Sequence, residues 1–192
     1  MKRLAFVLLL GLCLFGILGA VRPTVAGEAI RIVEYALPPN VHTPRYITAG
    51  PDGKLWFTAA DAVMRMTPQG ESEVLASFAP WAAYDITTGP DDNLWMTLTY
   101  YEGDDRIARI TPEGAITYFT LPDGLGAVRI TTGPDGNLWF TTGGIGRITP
   151  QGEITIFDLP DSDPPFSPHA ITTGPDDESL WFTKYLGAHR IG

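Results

Sequence analysis

One short motif occurs four times in this chain and constrains its fold more than any other feature. The copies span residues 47–58, 86–97, 130–141 and 171–183. The third copy reads Ile-Thr-Thr-Gly-Pro-Asp-Gly-Asn-Leu-Trp-Phe-Thr, and intervals of 39, 44 and 42 residues separate the tryptophans Trp56, Trp95, Trp139 and Trp181. Repeats of about 40–50 residues are typical of propeller blades, which bury their apolar faces by packing against neighbouring blades.

Each repeat contains the signals for four antiparallel strands. In the third copy, a Pro-Asp-Gly-Asn turn at residues 134–137 separates two short apolar segments, since Pro presets φ and Gly accepts a positive φ. A third strand is expected at residues 147–149 and a fourth at 154–160. The second strand is apolar on both faces, and blades packed side by side cover both. We therefore expect an all-β propeller of four-stranded antiparallel blades, with an open two-layer sandwich as the alternative.

The two ends of the chain indicate how many blades are present. Residues 30–38 match the fourth strand of a repeat, and the last copy contains two strands and the start of a third. The inventory is one outer strand, three full blades and a partial fourth. Residues 30–38 would complete the last blade in a closed four-bladed ring. We expect instead an open arc of a seven-bladed design, because a ring that stops in mid-strand leaves backbone groups unpaired.

The first 26 residues have the features of a leader. Lys2 and Arg3 precede an apolar run over residues 4–21, and small residues at 24–26 suit a signal peptidase. We expect residues 1–26 to be a signal peptide of an exported protein and 27–192 to be a partial propeller domain. A membrane anchor is the alternative, since 18 apolar residues are near the lower limit for a span. Cys13 lies in this run, so the mature chain can form no internal disulfide.

The charge of the chain restricts its partners. Thirteen basic residues against 22 acidic ones give a formal net charge of -9. An acidic surface repels phosphate backbones, so we expect no nucleic-acid binding, and a neutral or cationic small ligand suits the surface better.

The repeat, followed by Ile-Gly-Arg-Ile-Thr-Pro and a strand ending in Leu-Pro, resembles the virginiamycin B lyase (streptogramin B lyase) family over residues 30–192. The resemblance implies a seven-bladed propeller that linearises cyclic depsipeptide antibiotics by Mg²⁺-dependent elimination at an ester bond. It also implies a substrate-contacting histidine in a Pro-His-Ala-Ile-Thr string, which residues 168–172 reproduce. His169 is therefore the expected substrate-binding residue. The earlier copies carry Arg45, Tyr84 and Val128 at this position.

The chain departs from the family where the chemistry is expected. The family's Glu-x-His string is absent, and the position after the Trp-Phe strand, often Glu in the family, is occupied by Ala59, Leu98, Thr142 and Lys184. We assign no catalytic or metal-binding residue, so Mg²⁺ is implied by the resemblance alone and its ligands are not found in this chain. Weak or no lyase activity is the expectation.

A non-catalytic, exported binding or scaffold propeller is the alternative function. Aromatic side chains give large contact areas with a polar tip, and those in the loops are Trp81, Tyr84, Tyr100, Tyr101 and Phe166. A small-molecule or peptide-like ligand at the propeller mouth is the expected partner. The open blade edges also predict self-association. A lactonase-type metal hydrolase is a weaker possibility, because we expect no carboxylate on the inner strands.

Other polar residues have simpler interpretations. The aspartates Asp52, Asp91, Asp135 and Asp176 are explained by the turns that each forms after a proline, because they lack the alternating carboxylates of a calcium loop. The loop that contains Tyr100, Tyr101, Glu102, Asp104 and Asp105 is interpreted as solvated charge, although it is the best place for a cation. His189 on the last blade is interpreted as coincidental, and His42 has no evident partner.

Overall fold

The computed structural model describes residues 4–5, 32–39, 41–100, 104–159 and 167–185. The chain divides into two compact units, residues 1–38 and 39–192. In the first unit, β1 (Leu4–Ala5) pairs in parallel with β2 (Ile32–Val33). Within the described ranges there is no helix, and hence none that is long and apolar enough to cross a membrane. The leader predicted at residues 1–26 falls almost entirely outside these ranges, as does Cys13.

The second unit consists of four sheets, one for each copy of the repeat. Blade 1 contains β3 (Pro44–Ala49), β4 (Leu55–Ala59), β5 (Ala62–Met66) and β6 (Ser72–Ser77). Blade 2 contains β7 (Ala82–Thr88), β8 (Leu94–Thr99), β9 (Arg106–Ile110) and β10 (Ile116–Thr120). Blade 3 contains β11 (Ile130–Thr132), β12 (Leu138–Thr141), β13 (Ile145–Ile148) and β14 (Ile154–Phe157). Blade 4 contains β15 (Ser167–Thr173) and β16 (Leu180–Tyr185).

The strands of each blade form an antiparallel meander in chain order, which confirms the predicted all-β propeller architecture. The inner strands β3, β7, β11 and β15 lie side by side, each in contact with the next. Among the described residues, β15 and β16 pair only with each other, and blade 4 does not meet blade 1. The blades therefore form an open arc, as predicted. Residues 187–192, predicted to contain the start of a third strand, lie outside the described ranges.

The hydrophobic core lies between the blades. Trp56 of blade 1 is fully buried against Leu94, Met96 and other apolar residues of blade 2. Trp95 occupies the same position against Leu138 and Phe140 of blade 3. The second strand of blade 2 is therefore apolar on both faces because Leu94 and Met96 pack against blade 1 and Trp95 packs against blade 3.

In blades 1 to 3, the turn between the first two strands holds its tryptophan by a hydrogen bond from the indole to an aspartate, whereas Trp181 of blade 4 donates to the hydroxyl of Ser179. The indole Nε1 atoms of Trp56, Trp95 and Trp139 each donate to an aspartate Oδ1 at 2.9 Å, with Asp52, Asp91 and Asp135 as the acceptors. At Asp52, burial acts to raise the pKa, but hydrogen bonds from Trp56 and the Lys54 amide, with the Arg65 charge, hold it below its usual value. These aspartates belong to the turns, as predicted, and they have an additional role as hydrogen-bond acceptors for the tryptophans.

Hydrogen bonds also join consecutive inner strands directly. The hydroxyl of Thr88 donates to the carbonyl oxygen of Ala49 at 2.5 Å, and that of Thr132 donates to the carbonyl oxygen of Thr88 at 2.7 Å. Thr173 repeats the bond to Thr132 at 2.7 Å. One threonine per blade thus links each blade to the preceding one.

Candidate functional site

Three of the four inner strands have a bulge close to their first residue, which presents side chains at the edge of the sheets where the inner strands begin. We call this edge the mouth. The register between the first two strands shifts between Pro44 and Ile47 in blade 1, and at the equivalent places in blades 2 and 4. Bulges of this kind redirect side chains and are common beside binding sites. Each bulge contributes two mouth positions: the first holds Arg45, Tyr84 or His169, and the second holds Tyr46, Asp85 or Ala170.

Buried threonines of the second strands hold the mouth residues in place. The amides of Tyr46 and Asp85 donate to the hydroxyls of Thr58 and Thr97 at 3.3 and 3.1 Å. The Thr58 hydroxyl in turn donates to the carbonyl oxygen of Tyr84 on the next blade at 2.6 Å. The mouth is therefore a hydrogen-bonded surface continuous between blades.

Five mouth residues from blades 1 to 3 lie together, and we call them the mouth cluster: Arg45, Tyr46, Tyr84, Asp85 and Arg129. The rings of Tyr46 and Tyr84 lie 5.3 Å apart between centroids, inclined at 38°. The guanidinium carbon of Arg129 lies 4.1 Å from the Tyr46 centroid and 5.3 Å from that of Tyr84. The guanidinium carbon of Arg45 is also 5.3 Å from the Tyr84 centroid. Distances under about 6 Å are those of cation–π contacts.

A cavity of about 440 Å³ opens at this cluster, lined by Arg45, Tyr46 and Tyr84. Its size is within the usual range for small-molecule sites, about 300–1,000 Å³. The Nη1 atom of Arg129 is buried and has no hydrogen-bond partner among the described residues. Burial acts to raise the pKa of Tyr46, partly opposed by the nearby Arg129. The cluster therefore combines aromatic surface with positive charge.

Asp85 is the carboxylate of the cluster. Its two oxygens accept hydrogen bonds from the backbone amides of Ile86 at 2.9 Å and Ile130 at 3.0 Å. Burial raises its pKa despite these bonds and the Arg129 charge. The prediction that the inner strands carry no carboxylate is wrong, because β7 begins at Ala82 and includes Asp85.

The described residues do not form a metal site. Among them, no three or more His, Cys, Asp and Glu side chains are grouped in a way that could hold a metal ion. Asp85 is engaged by backbone amides, and Asp105 accepts hydrogen bonds from the Tyr100 amide at 2.8 Å and the Ala127 amide at 3.3 Å. The described residues therefore do not fit the Mg²⁺ that the family resemblance implies.

His169 is exposed and lies in the bulge of β15, where the Ala170 amide donates to the Thr183 hydroxyl at 3.1 Å. It is two blades from Tyr84, at the equivalent position of the mouth. His42 is exposed before β3. Three residues singled out from the sequence, Tyr101, Phe166 and His189, lie outside the described ranges, as does Glu102.

The structure separates the predicted aromatic set. Tyr84 belongs to the mouth cluster, whereas Trp81 and Tyr100 pack together 5.8 Å apart, with Arg106 over the Trp81 ring at 4.3 Å. Sequence reasoning missed Tyr46 and Arg129. Both follow the position of His169 by one residue in their own repeats, where the fourth copy carries Ala170, but this shared position alone does not indicate a site.

Comparisons with known proteins place these features in a family. The model of the virginiamycin B lyase family matches residues 21–192. Virginiamycin B lyase from Staphylococcus aureus is similar at 34% identity and a TM-score of 0.65, and the match covers 82% of this chain and 57% of that one. A catalytically inactive variant of that enzyme, crystallised with quinupristin, matches with the same values. A comparison with curated proteins gives no significant match.

Two further solved structures are also similar to this chain. A streptogramin B lyase matches at 32% identity and a TM-score of 0.65, over 82% of this chain and 56% of that one. A putative gluconolactonase, at 17% identity and a TM-score of 0.58 over 75% of this chain and 56% of that one, shares the fold alone. This chain thus spans a little more than half the length of the lyases it resembles.

Proposed function

Because the chain belongs to the virginiamycin B lyase family, we propose that it binds a cyclic, peptide-like small molecule of the streptogramin B type at the mouth of its arc. The observation that carries the proposal is the bulge at the start of the inner strands of blades 1, 2 and 4, which presents a side chain at the same position of each of these blades. A similar enzyme has been crystallised with quinupristin, a ligand of this class.

His169 is the residue that we propose for direct ligand contact. Its side chain is exposed on the bulge of β15, and the bond from the Ala170 amide to Thr183 fixes the backbone beside it. An imidazole has one nitrogen that donates and one that accepts a hydrogen bond when neutral, so it can engage the amide and ester groups of a depsipeptide. Binding, without a chemical step, is what these residues support.

The test is a titration of the purified protein with quinupristin, followed by calorimetry. We expect saturable binding, and we expect His169→Ala to weaken it by about three- to tenfold, the effect of one neutral hydrogen bond of about 0.5–1.5 kcal/mol. His42→Ala is the matched control, since His42 is also exposed but lies before β3. Absence of binding by the unaltered protein, or equal losses in both variants, would contradict the proposal.

Ring opening is a second candidate function, favoured by the Pro-His-Ala-Ile-Thr string around His169 and by the similarity to virginiamycin B lyase. The described residues provide no metal site, so we derive no elimination step from them. Incubation with quinupristin and Mg²⁺, beside the S. aureus enzyme as positive control, should leave the antibiotic intact in mass spectra. Linearised product would establish a lyase.

Export and self-association are further proposals. The leader at residues 1–26 supports export, with membrane anchoring as the alternative. Detection of the tagged protein starting near residue 27 outside the cytoplasm would support cleavage, and an intact N-terminus in the membrane fraction would support the anchor. Exposed apolar side chains at the flanks of the arc, such as Ile47 and Trp181, support association between copies. Sedimentation of the purified protein tests this, and a monomer at all concentrations would contradict it.

A further inference from the structure

The mouth cluster carries positive charge in a chain that is acidic as a whole. We infer that it is a binding site for a small-molecule carboxylate, in which Arg45 and Arg129 bind the carboxylate group and the Tyr46 and Tyr84 rings contact the organic part. His169 is not a member of the cluster and lies on blade 4, and the inference does not depend on the proposed binding of a streptogramin.

The unfilled hydrogen-bonding capacity of Arg129 is the first observation. Its Nη1 atom is buried without a partner among the described residues, and a buried donor left in that state costs about 1–3 kcal/mol. The carboxylate of the cluster, Asp85, accepts hydrogen bonds from the amides of Ile86 and Ile130 and is not the partner of this atom. A ligand acceptor at the mouth would compensate this cost.

The position of the second arginine is independent support. Arg45 and Arg129 come from different blades, yet both guanidinium carbons lie 5.3 Å from the centroid of the Tyr84 ring. A guanidinium is planar and presents paired donors, which match the two oxygens of a carboxylate. The contact with Tyr84 limits the freedom of both side chains, so less entropy is lost when they bind a ligand.

The charges of the cluster favour an anion over a cation. Two tyrosine rings alone could surround a cationic group, but here the two guanidinium groups already lie against those rings. The cluster holds two cations against the single carboxylate of Asp85, so its net charge is positive. The cavity of about 440 Å³ beside Arg45, Tyr46 and Tyr84 accommodates an organic acid. The charge of the whole surface therefore does not predict the charge of this site.

Benzoate is a suitable probe, because it joins a carboxylate to an aromatic ring, and benzamide is a neutral molecule of nearly the same shape. We expect ligand-detected NMR of the unaltered protein to show saturable benzoate binding that inorganic phosphate does not displace at equal concentration, and benzamide binding at least tenfold weaker. Displacement of benzoate by phosphate at equal concentration would show that the site binds anions in general, and it would overturn the assignment to a carboxylate. Equal binding of benzoate and benzamide, or no binding of either, would overturn the proposal.

Substitutions at the mouth give a second test. We expect Arg45→Gln, an exposed position that is safe for folding, to weaken benzoate binding about tenfold, as the loss of a hydrogen bond to a charged group predicts. Lys54→Gln is the matched control, because it removes one positive charge from the same blade beyond the other end of β3. Unchanged affinity in Arg45→Gln, or equal losses in both variants, would refute the role of Arg45. Quinupristin titration of the same samples tests the proposed streptogramin binding separately, because either ligand can fail to bind while the other binds.

Discussion

Thr58 joins two blades and two mouth residues through one buried hydroxyl, which makes its replacement by valine an informative perturbation. The side chain is completely buried. Its oxygen accepts the amide of Tyr46 at 3.3 Å and donates to the carbonyl oxygen of Tyr84 at 2.6 Å. Valine has nearly the same shape, so Thr58→Val removes both bonds without leaving a large cavity.

The expected loss follows from the two groups left without a partner. Each unsatisfied buried backbone group costs about 1–3 kcal/mol, and removal of the hydroxyl's own desolvation offsets part of the sum. We expect the free energy of unfolding to fall by about 2–4 kcal/mol. For a domain of this size, that corresponds to a decrease in melting temperature of about 5–15 °C.

Urea denaturation followed by tryptophan fluorescence measures this loss. Thr97→Val should behave alike, since the Thr97 hydroxyl accepts the Asp85 amide at 3.1 Å and donates to the Val128 carbonyl oxygen at 3.1 Å. Thr120→Val at the exposed end of β10 is the control, and it should change stability by less than about 0.5 kcal/mol. If Thr58→Val were as mild as this control, the threonine bridge would not stabilise the contact between blades.

Two other substitutions test the site and the core. The pKa of Asp85 is raised, so the folded state loses stability as pH rises from the unfolded pKa through the folded one. The difference in the free energy of unfolding between Asp85→Asn and the unaltered protein should therefore shift in favour of the variant as pH rises above the ordinary pKa of an aspartate; a difference constant with pH in denaturation curves would contradict this. Gly146→Ala would place a Cβ against the buried Phe140 ring, and calorimetry should show a loss of about 1–3 kcal/mol in the free energy of unfolding. Gly143→Ala is the control, because its Cβ would meet only a Leu125 methyl at 4.0 Å and the change should be nearly neutral. Equal effects of the two substitutions would refute the clash.

The sequence predicted the blades well because their structure is local. A Pro-Asp-Gly turn between two apolar segments specifies a hairpin within about a dozen residues, and three of the four blades show the predicted four strands. The early start of β7 was not predicted, because the bulge between Ala83 and Ile86 interrupts the alternation of side chains that marks a strand.

The mouth cluster was beyond sequence reasoning for a different reason. Its members Tyr46, Tyr84 and Arg129 come from three blades, and their contacts depend on the rotation between blades, which no single repeat encodes. Comparison of the repeats identified the first bulge position, where His169 stands. It gave no reason to examine the second position, because neither Tyr46 nor Arg129 belongs to a recognisable motif.

The threonine bonds between inner strands give the arc a direction. Thr88, Thr132 and Thr173 each donate to the blade before, and the backbone carbonyls of Ala49, Thr88 and Thr132 accept these bonds from the blade after. Every junction is thus of the same head-to-tail kind, with one donor side and one acceptor side. A blade duplicated within such a series would meet compatible neighbours at both of its sides without any new mutation. Gene duplication and loss of single repeats can therefore alter the length of the arc while the chemistry of each junction stays the same.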